Sequence, residues 1–409
     1  MKLAIVVPGG VDASGTERVI PVLLWLVERL ARRHTVHVFA TRQQAAPAHW
    51  TLLGAQVHNV GTDGAWRRRL FAWFAAEHAR APFHAVHGIF GGAGTYAALL
   101  GRRYRLPVLL HLAGGEPVAM RDIDYGMRCT LRGRLSLRVA VAGARRVTVA
   151  TPYMQRLADA LGIAAELVPL GVALDRWPPR APRLRDPSVP ARLLHVGDLR
   201  PVKDQTTLLA AAAALREAGV RFRLDVAGHD TLHGAVQREA RARGLGDVTR
   251  FHGVLRREAL RALMDEAHLL LVSSRHDAGP LVVLEAAVAG VPTVGTAVGH
   301  VAEWAPYAAV AVPVGDARAL AHATAALLTD EPWRLTLAHA ALRRATTHDA
   351  DYTAACFERM YEEVGRDMRH EARDARRETR GARHERNGGG AGRGAERQVA
   401  SDQLTSREL

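Results

Sequence analysis

The amino-acid sequence predicts an α/β protein built from two doubly wound parallel sheets in tandem. The chain of 409 residues is too long for one ordinary core and fits two domains of roughly 150 to 200 residues. Short β-rich runs alternate with amphipathic or Ala-rich stretches, which is the rhythm of βαβ units. That rhythm stops at a Pro/Arg-rich stretch over 175–192 (DRWPPRAPRLRDPSVPAR) and then restarts, so the break marks a domain boundary.

Taken in order, the first strand is KLAIVVP at 2–8, followed by a Gly-rich loop and a helix from about 17 to 33. Strands at 35–41, 85–88, 107–112 and 146–151 follow, giving an N-terminal domain over 1–174 and a linker over 175–191. Strands at 192–199, 221–228, 248–253, 268–274 and 293–296 then alternate with helices near 205–218, 232–243, 257–266 and from Leu281. These define a second domain over 192–348, with a further helix near 317–328. The segment 352–364 (YTAACFERMYEEV) carries aromatic and apolar residues at helical spacing, so a helix within 349–365 is predicted to pack back on the first domain. From Arg366 onward Arg, Glu, Gly and Ala dominate with almost no large apolar residues, and 366–409 is expected to be a disordered charged tail.

Composition narrows the function. With 48% apolar and 23% charged residues the chain has the balance of a soluble globular protein. No run of about 20 apolar residues is present, and the first strand begins at once after Met1, which places the protein in the cytoplasm. Cys129 and Cys356 form neither a CxxC nor a metal-ligand pattern. The net charge of +14 raises nucleic-acid binding as a possibility, but aromatics are only 5% and no recognition motif is present, so no nucleic-acid partner is expected. A basic face toward anionic substrates or lipid accounts for the charge as well. The segment 66–80 (WRRRLFAWFAAEHAR) sets four aromatics beside three arginines, as an interfacial helix does, and predicts peripheral attachment to anionic membrane.

One segment speaks most directly of chemistry. Glu285 stands in an otherwise apolar helix pattern, PLVVLEAAVAG, where an unpaired buried carboxylate costs several kcal/mol. It therefore needs partners, either the two hydroxyls of a ribose diol or a neighbouring Arg. Gly279 permits close backbone approach, Pro280 suits a helix start, and the first amides of that helix can hold an anion such as a diphosphate. Lys203 lies on a loop after a strand, three residues beyond Arg200. Of 55 basic residues only Lys2 and Lys203 are lysines, so an ammonium surviving there suggests a specific need. The loop PGGVDASGTERV, with Gly15, follows the first strand and has the look of a phosphate-accepting turn. His111, Glu116 and His87 fall at strand ends of the first domain.

These residues resemble glycosyltransferase family 4, the retaining transferases with the two-Rossmann-domain GT-B fold, over about 1–364. The likeness rests on Asp277 and Glu285 followed by AGVP, on VGDLRPVKD around Lys203, on FHGVL at 251–255 and on VPLGVALDRW before the linker. It implies a nucleotide-sugar donor closed between the two domains and a glycan or lipid-linked acceptor, with no metal or other cofactor. It implies that Glu285 holds the ribose, Lys203 the diphosphate, Asp277 the transferred sugar, and Gly253 and Val254 the base. Gly15 would face the diphosphate, and the amides of Gly279, Pro280, Leu281 and Val282 would line the sugar and diphosphate, Pro280 through its backbone alone. The family's first-domain histidine falls near Ala113, with His111 two residues earlier as the candidate catalytic group. Three departures stand out: Asp277 replaces the common Glu, GlyPro replaces PheGly, and Asp198 replaces an arginine, leaving Arg200 as substitute. The resemblance implies hexosyl transfer in cell-envelope, exopolysaccharide or glycoconjugate synthesis. Two other classes keep the fold: a nucleotide-sugar epimerase, for which no acid/base set is found, and a non-catalytic membrane-associating relative.

Overall fold

The computed structural model describes residues 1–388. Its first sheet has eight strands in the order β3-β4-β2-β1-β5-β6-β7-β8. In chain order these are β1 (Lys2–Val7), α1 (Pro21–Ala31), β2 (Thr35–Ala40), β3 (Ala48–Leu52), β4 (Ala55–Asn59), α2 (Trp66–Arg80), β5 (Ala85–Ile89), α3 (Gly91–Tyr104), β6 (Val108–Leu112), α4 (Leu131–Ala142), β7 (Arg146–Val149), α5 (Pro152–Asp159) and β8 (Glu166–Leu167). β1 and β5 are buried along their whole length, as strands covered on both faces must be. All pairings are parallel except the β3–β4 hairpin at the edge, whose five-residue strands the sequence pattern does not reveal. Its turn places Leu53 and Gly54 at positive φ, so the usual Asn-Gly signal is missing.

The second sheet is wholly parallel, in the order β11-β10-β9-β12-β13-β14. Its elements are β9 (Ala191–Val196), α6 (Gln205–Glu217), β10 (Phe222–Ala227), α7 (Ala235–Ala242), β11 (Thr249–Gly253), α8 (Arg257–Glu266), β12 (Leu269–Val272), α9 (Leu281–Val288), β13 (Thr293–Thr296), α10 (Gly299–Trp304), β14 (Ala309–Val312), α11 (Ala317–Thr329) and α12 (Glu331–Thr347). α10, β14 and α12 complete this half beyond the elements that periodicity predicts.

The Pro/Arg-rich stretch between the sheets is held down rather than loose. Trp177 is buried, the Arg180 amide donates to the Val288 carbonyl, and the Arg185 amide donates to Glu331. The chain then returns to the first half at the start of α13 (Ala350–Gly388). Thr353 donates to the Pro169 carbonyl and accepts from the Gly171 amide, and Phe357 packs against His87 and His111.

Two expectations need correction here. The aromatics offered to a membrane are taken by the core of the first half: Phe74 meets Phe83 at 4.7 Å and Tyr104 at 5.1 Å, Trp66 meets Tyr96, and Trp73 meets His49. Arg67 and Arg69 are engaged by Tyr96 and Asp63. α2 thus spends its apolar side on its own domain. The tail is helical, not disordered, over 366–388, because α13 runs to Gly388. A lack of large apolar residues argues against a packed core, yet Ala, Arg and Glu are strong local helix formers. The remainder of that expectation, 389–409, lies outside the described residues.

Arg29 of α1 ties three segments together. Its buried guanidinium reaches Asp175 at 2.9 Å and Asp351 at 3.0 Å, so α1, the linker and the first turn of α13 share one cation. The two carboxylates are half-exposed and rehydrate when released, which keeps the loss below that of a fully buried pair. Arg29→Ala is expected to lower the unfolding free energy by about 1–3 kcal/mol. A urea midpoint equal to wild type contradicts this.

Candidate functional site

The topology of the second sheet opens a crevice. From β9 the chain winds outward through β10 and β11, then returns to place β12 on the other side of β9. The connections leaving the carboxyl ends of β9 and β12 therefore diverge, and open α/β sheets take ligands at such a switch point. The first connection carries Lys203 and the second carries Asp277.

The two loops are stitched together. The Ser273 hydroxyl donates to the Lys203 carbonyl at 2.8 Å, and the Arg275 amide donates to the Val202 carbonyl at 2.8 Å. A 3-10 turn over Pro201–Lys203 ends at Asp204, whose carboxylate caps α6 by accepting from the Thr207 amide. The Lys203 stem runs past Gly197, where an added Cβ would touch it at 3.5 Å. So fixed, the ammonium of Lys203 meets the Asp277 carboxylate at 2.5 Å. Both side chains keep some solvent access, 22% and 15%, and a pair in that setting contributes about 1 kcal/mol at most. It positions an ammonium at little energetic depth, so an arriving anion can take it over.

Glu285 sits on the inner side of α9, only 7% exposed. Among the described residues no hydrogen bond or ion pair reaches its carboxyl group, so the neighbouring-Arg alternative fails. Burial alone pushes its pKa up to about 8. Buried polar groups are normally satisfied, so a carboxyl kept this way points to an absent partner. The start of α9 has no side-chain cap either; Pro280 is the N-cap, one place earlier than the sequence suggests, and Leu281 and Val282 open the helix half-buried. Gly279 is closely packed: a Cβ there would stand 3.2 Å from His300 Nε2 and 3.3 Å from the Thr151 side chain, so these neighbours would have to shift slightly.

The other predicted residues divide. Gly253, at φ +67°, and the 73%-exposed Val254 end β11 beside the β10 end, where Gly228 donates to the Gly253 carbonyl. Arg200 is half-exposed and loosely paired with Asp198 at 3.9 Å. No described contact joins His111 to this group. It is buried on β6, its Nδ1 2.8 Å from Thr148 Oγ1 and its ring against Phe357; burial lowers its pKa to about 4. The Gly-rich loop differs from expectation, because α1 begins at Pro21 and several of the loop amides are already used. Gly10 and Val11 donate to Gln43, Ser14 donates to Asp12, and Thr16 and Glu17 donate to Ser14. Gly15 sits in that loop at φ +66°.

Residues that periodicity did not single out join the two halves at the crevice. The Tyr153 hydroxyl lies 3.1 Å from His276 Nδ1, and His276 Nε2 donates to the Gly114 carbonyl at 3.2 Å; burial lowers the pKa of this ring. Thr151 donates to the Ala278 carbonyl, and Arg275 pairs with Asp122 at 2.6 Å. Glu116 is buried and accepts from the Gly91 and Gly114 amides, shaping the facing loop. Tyr125 lies near enough to Asp277 and Glu116 that burial and their charges push its pKa to about 12. His276 stands next to Asp277 in the sequence, and that adjacency was the one signal available.

Comparison with known proteins bears on the fold and the family. Two family models match the chain: "Glycosyl transferase 4-like domain" over residues 19–173 and "Glycosyl transferases group 1" over residues 182–344. The glycogen synthase of Mycobacterium tuberculosis is 33% identical over 179 residues, which is 43% of this chain and 43% of that protein. The matched stretch thus spans less than half the length of that relative. The D-inositol 3-phosphate glycosyltransferase of Salinispora arenicola is 29% identical over 403 residues, 87% of this chain and 89% of its own. Among solved structures, Anabaena HepE in complex with UDP-glucose superposes with a TM-score of 0.68 at 17% identity, over 89% of this chain and all of HepE, a likeness of fold. The two matched halves, the two parallel sheets and the relatives together place the chain in the glycosyltransferases of the GT-B fold, family 4 type.

Proposed function

We propose that the chain moves a sugar from a nucleotide-sugar donor to a hydroxyl acceptor with retention of anomeric configuration. The carrying observation is the unpartnered, buried Glu285 carboxyl group beside the crevice that holds Lys203 and Asp277. A ribose diol supplies the two donors that a carboxylate in that place lacks. The diphosphate then lies toward Lys203 and the uncapped start of α9, and the sugar toward Asp277. As the bond from sugar C1 to the diphosphate oxygen breaks, its electron pair goes to the diphosphate. Lys203, helped by Arg200, stabilises the charge gained there, the task a metal ion performs in other transferases. The acceptor oxygen bonds to C1 on the same face, and its proton passes to the departing phosphate oxygen.

Asp277, a methylene shorter than glutamate, holds Lys203 in the unliganded protein and turns to the sugar when the diphosphate takes the ammonium. His111 has no part in this reading. The acceptor is proposed to be a glycan, a lipid-linked sugar or an anionic polyol, approaching over the loop that carries Glu116 and Tyr125. The basic net charge favours such anionic partners. No described helix is long and apolar enough to cross a membrane.

Glu285→Gln is expected to weaken donor binding at least tenfold, about 1.5–3 kcal/mol, because a donor replaces a required acceptor. Lys203→Ala acts instead on turnover, since the ammonium helps the transition state more than the ground state. Donor titrations and steady-state rates across a panel of nucleotide-sugars check both. Normal donor affinity in the first variant, or a wild-type rate in the second, contradicts the assignment.

Glu285 also has a signature in stability. Its folded pKa of about 8 lies above the ordinary carboxyl value of 4.5, so the folded state holds the proton more tightly. Wild type is therefore unpenalised below about pH 4.5 and loses stability as pH rises toward 8, whereas the Gln variant does not. Melting temperatures measured across that window should show Glu285→Gln gaining on wild type. A variant that is less stable throughout shows a structural role instead.

A further inference from the structure

The far edge of the first sheet carries a cluster that the reaction leaves unused. His49, His58 and His37 stand on the neighbouring strands β3, β4 and β2. Register sets His49 directly opposite His58, and sets Phe39 opposite His58, with His37 two residues back on the same face. α2 covers that face and brings Glu77 to it. His58 Nε2 lies 2.9 Å from His37 Nδ1, and His58 Nδ1 lies 3.0 Å from His49 Nδ1. Glu77 Oε2 is 3.9 Å from His37 Nδ1. The ligand atoms of His37, His58 and Glu77 all fall within 4.8 Å of one another.

A separation of 3.9 Å is too long for a hydrogen bond. It is close to the spacing of about 3.4 Å between two ligands on one tetrahedral ion with bonds of about 2.0–2.2 Å. The rings are neutral: burial lowers all three histidine pKa values, His58 to about 3, with Lys2 and Arg80 adding to the effect at His37 and His58. Two cations oppose a metal here. Lys2 Nζ lies 3.6 Å from Glu77 Oε2 but donates to the Glu77 and Ala81 carbonyls, and Arg80 takes the other oxygen, Oε1, at 2.6 Å. Oε2 therefore keeps lone pairs for an ion.

We propose that His37, His58 and Glu77 bind a divalent transition-metal ion of the zinc type, which clasps the edge strands of the first sheet to α2. Binding requires the proton now shared between His37 and His58 to leave their contact. It moves to His58 Nδ1, which then donates to His49 Nδ1, while the proton that His49 Nδ1 held in that 3.0 Å contact passes to His49 Nε2; this leaves the supporting hydrogen bond that metal-bound histidines usually have. The site belongs to the architecture and takes no part in glycosyl transfer.

The test is a calorimetric titration of zinc chloride into the chelator-stripped full chain, alongside melting curves with and without zinc. One zinc per chain is expected. His58→Gln and Glu77→Gln should each weaken it at least tenfold, and Lys2→Gln should tighten it by removing the opposing charge. Zinc should raise the melting temperature of wild type more than that of Glu77→Gln. Should His58→Gln fail to fold, the partly exposed Glu77 carries the test. Absence of zinc binding overturns the proposal. So does zinc binding of unchanged affinity in a folded Glu77→Gln protein, which would place the ion elsewhere among the twenty histidines.

Discussion

The parallel pairing of β9 with β12 is the constraint from which the site follows. The two strands lie side by side through Leu193–Leu269 and Leu194–Leu270, while their chains depart on opposite sides of the sheet. Their carboxyl ends cannot be closed over by one connection, so two loops must meet there. The Lys203 loop and the Asp277 loop are those two, and backbone and hydroxyl hydrogen bonds lock one to the other. Bury β9 and β12 in any other order and the ammonium, the aspartate and the start of α9 no longer share a crevice.

Within that crevice the charges are graded by burial. Lys203 and Asp277 retain water and satisfy each other, so their pair is weak and exchangeable. Glu285 is deep and has no described partner, and its pKa is raised accordingly. An arriving diphosphate competes with a partly buried carboxylate for Lys203, whereas a ribose would supply hydrogen bonds that Glu285 lacks among the described residues. The stronger drive to bind therefore lies at the ribose, and the ammonium remains available for charge that develops later.

Much of this was legible in the sequence. Glu285 stood out because a carboxylate in PLVVLEAAVAG contradicts its surroundings, and Lys203 because lysine is nearly absent. Strands such as Lys2–Val7 and Leu269–Val272 were legible from unbroken apolar runs, which strands covered on both faces require. What escaped depends on contacts distant along the chain. The aromatics of α2 look identical whether they meet lipid or Phe83 and Tyr104, and only the fold decides. His111 occupies a strand end, yet its neighbours Thr148 and Phe357 come from 37 positions along and from α13, which turns it into a core residue. The loop around Gly15 resembles an anion cradle until Gln43, 33 residues after Gly10, is seen to occupy its amides. The joining of Tyr153, His276 and Gly114 spans both halves and has no local pattern at all.

The most direct measurement is a crystal structure of the chain with a nucleotide-sugar. The account predicts both ribose hydroxyls within hydrogen-bond distance of the Glu285 carboxylate, diphosphate oxygens on Lys203 Nζ, and the sugar against Asp277. A nucleotide bound elsewhere, or one bound in the crevice with Glu285 still lacking a partner, contradicts it.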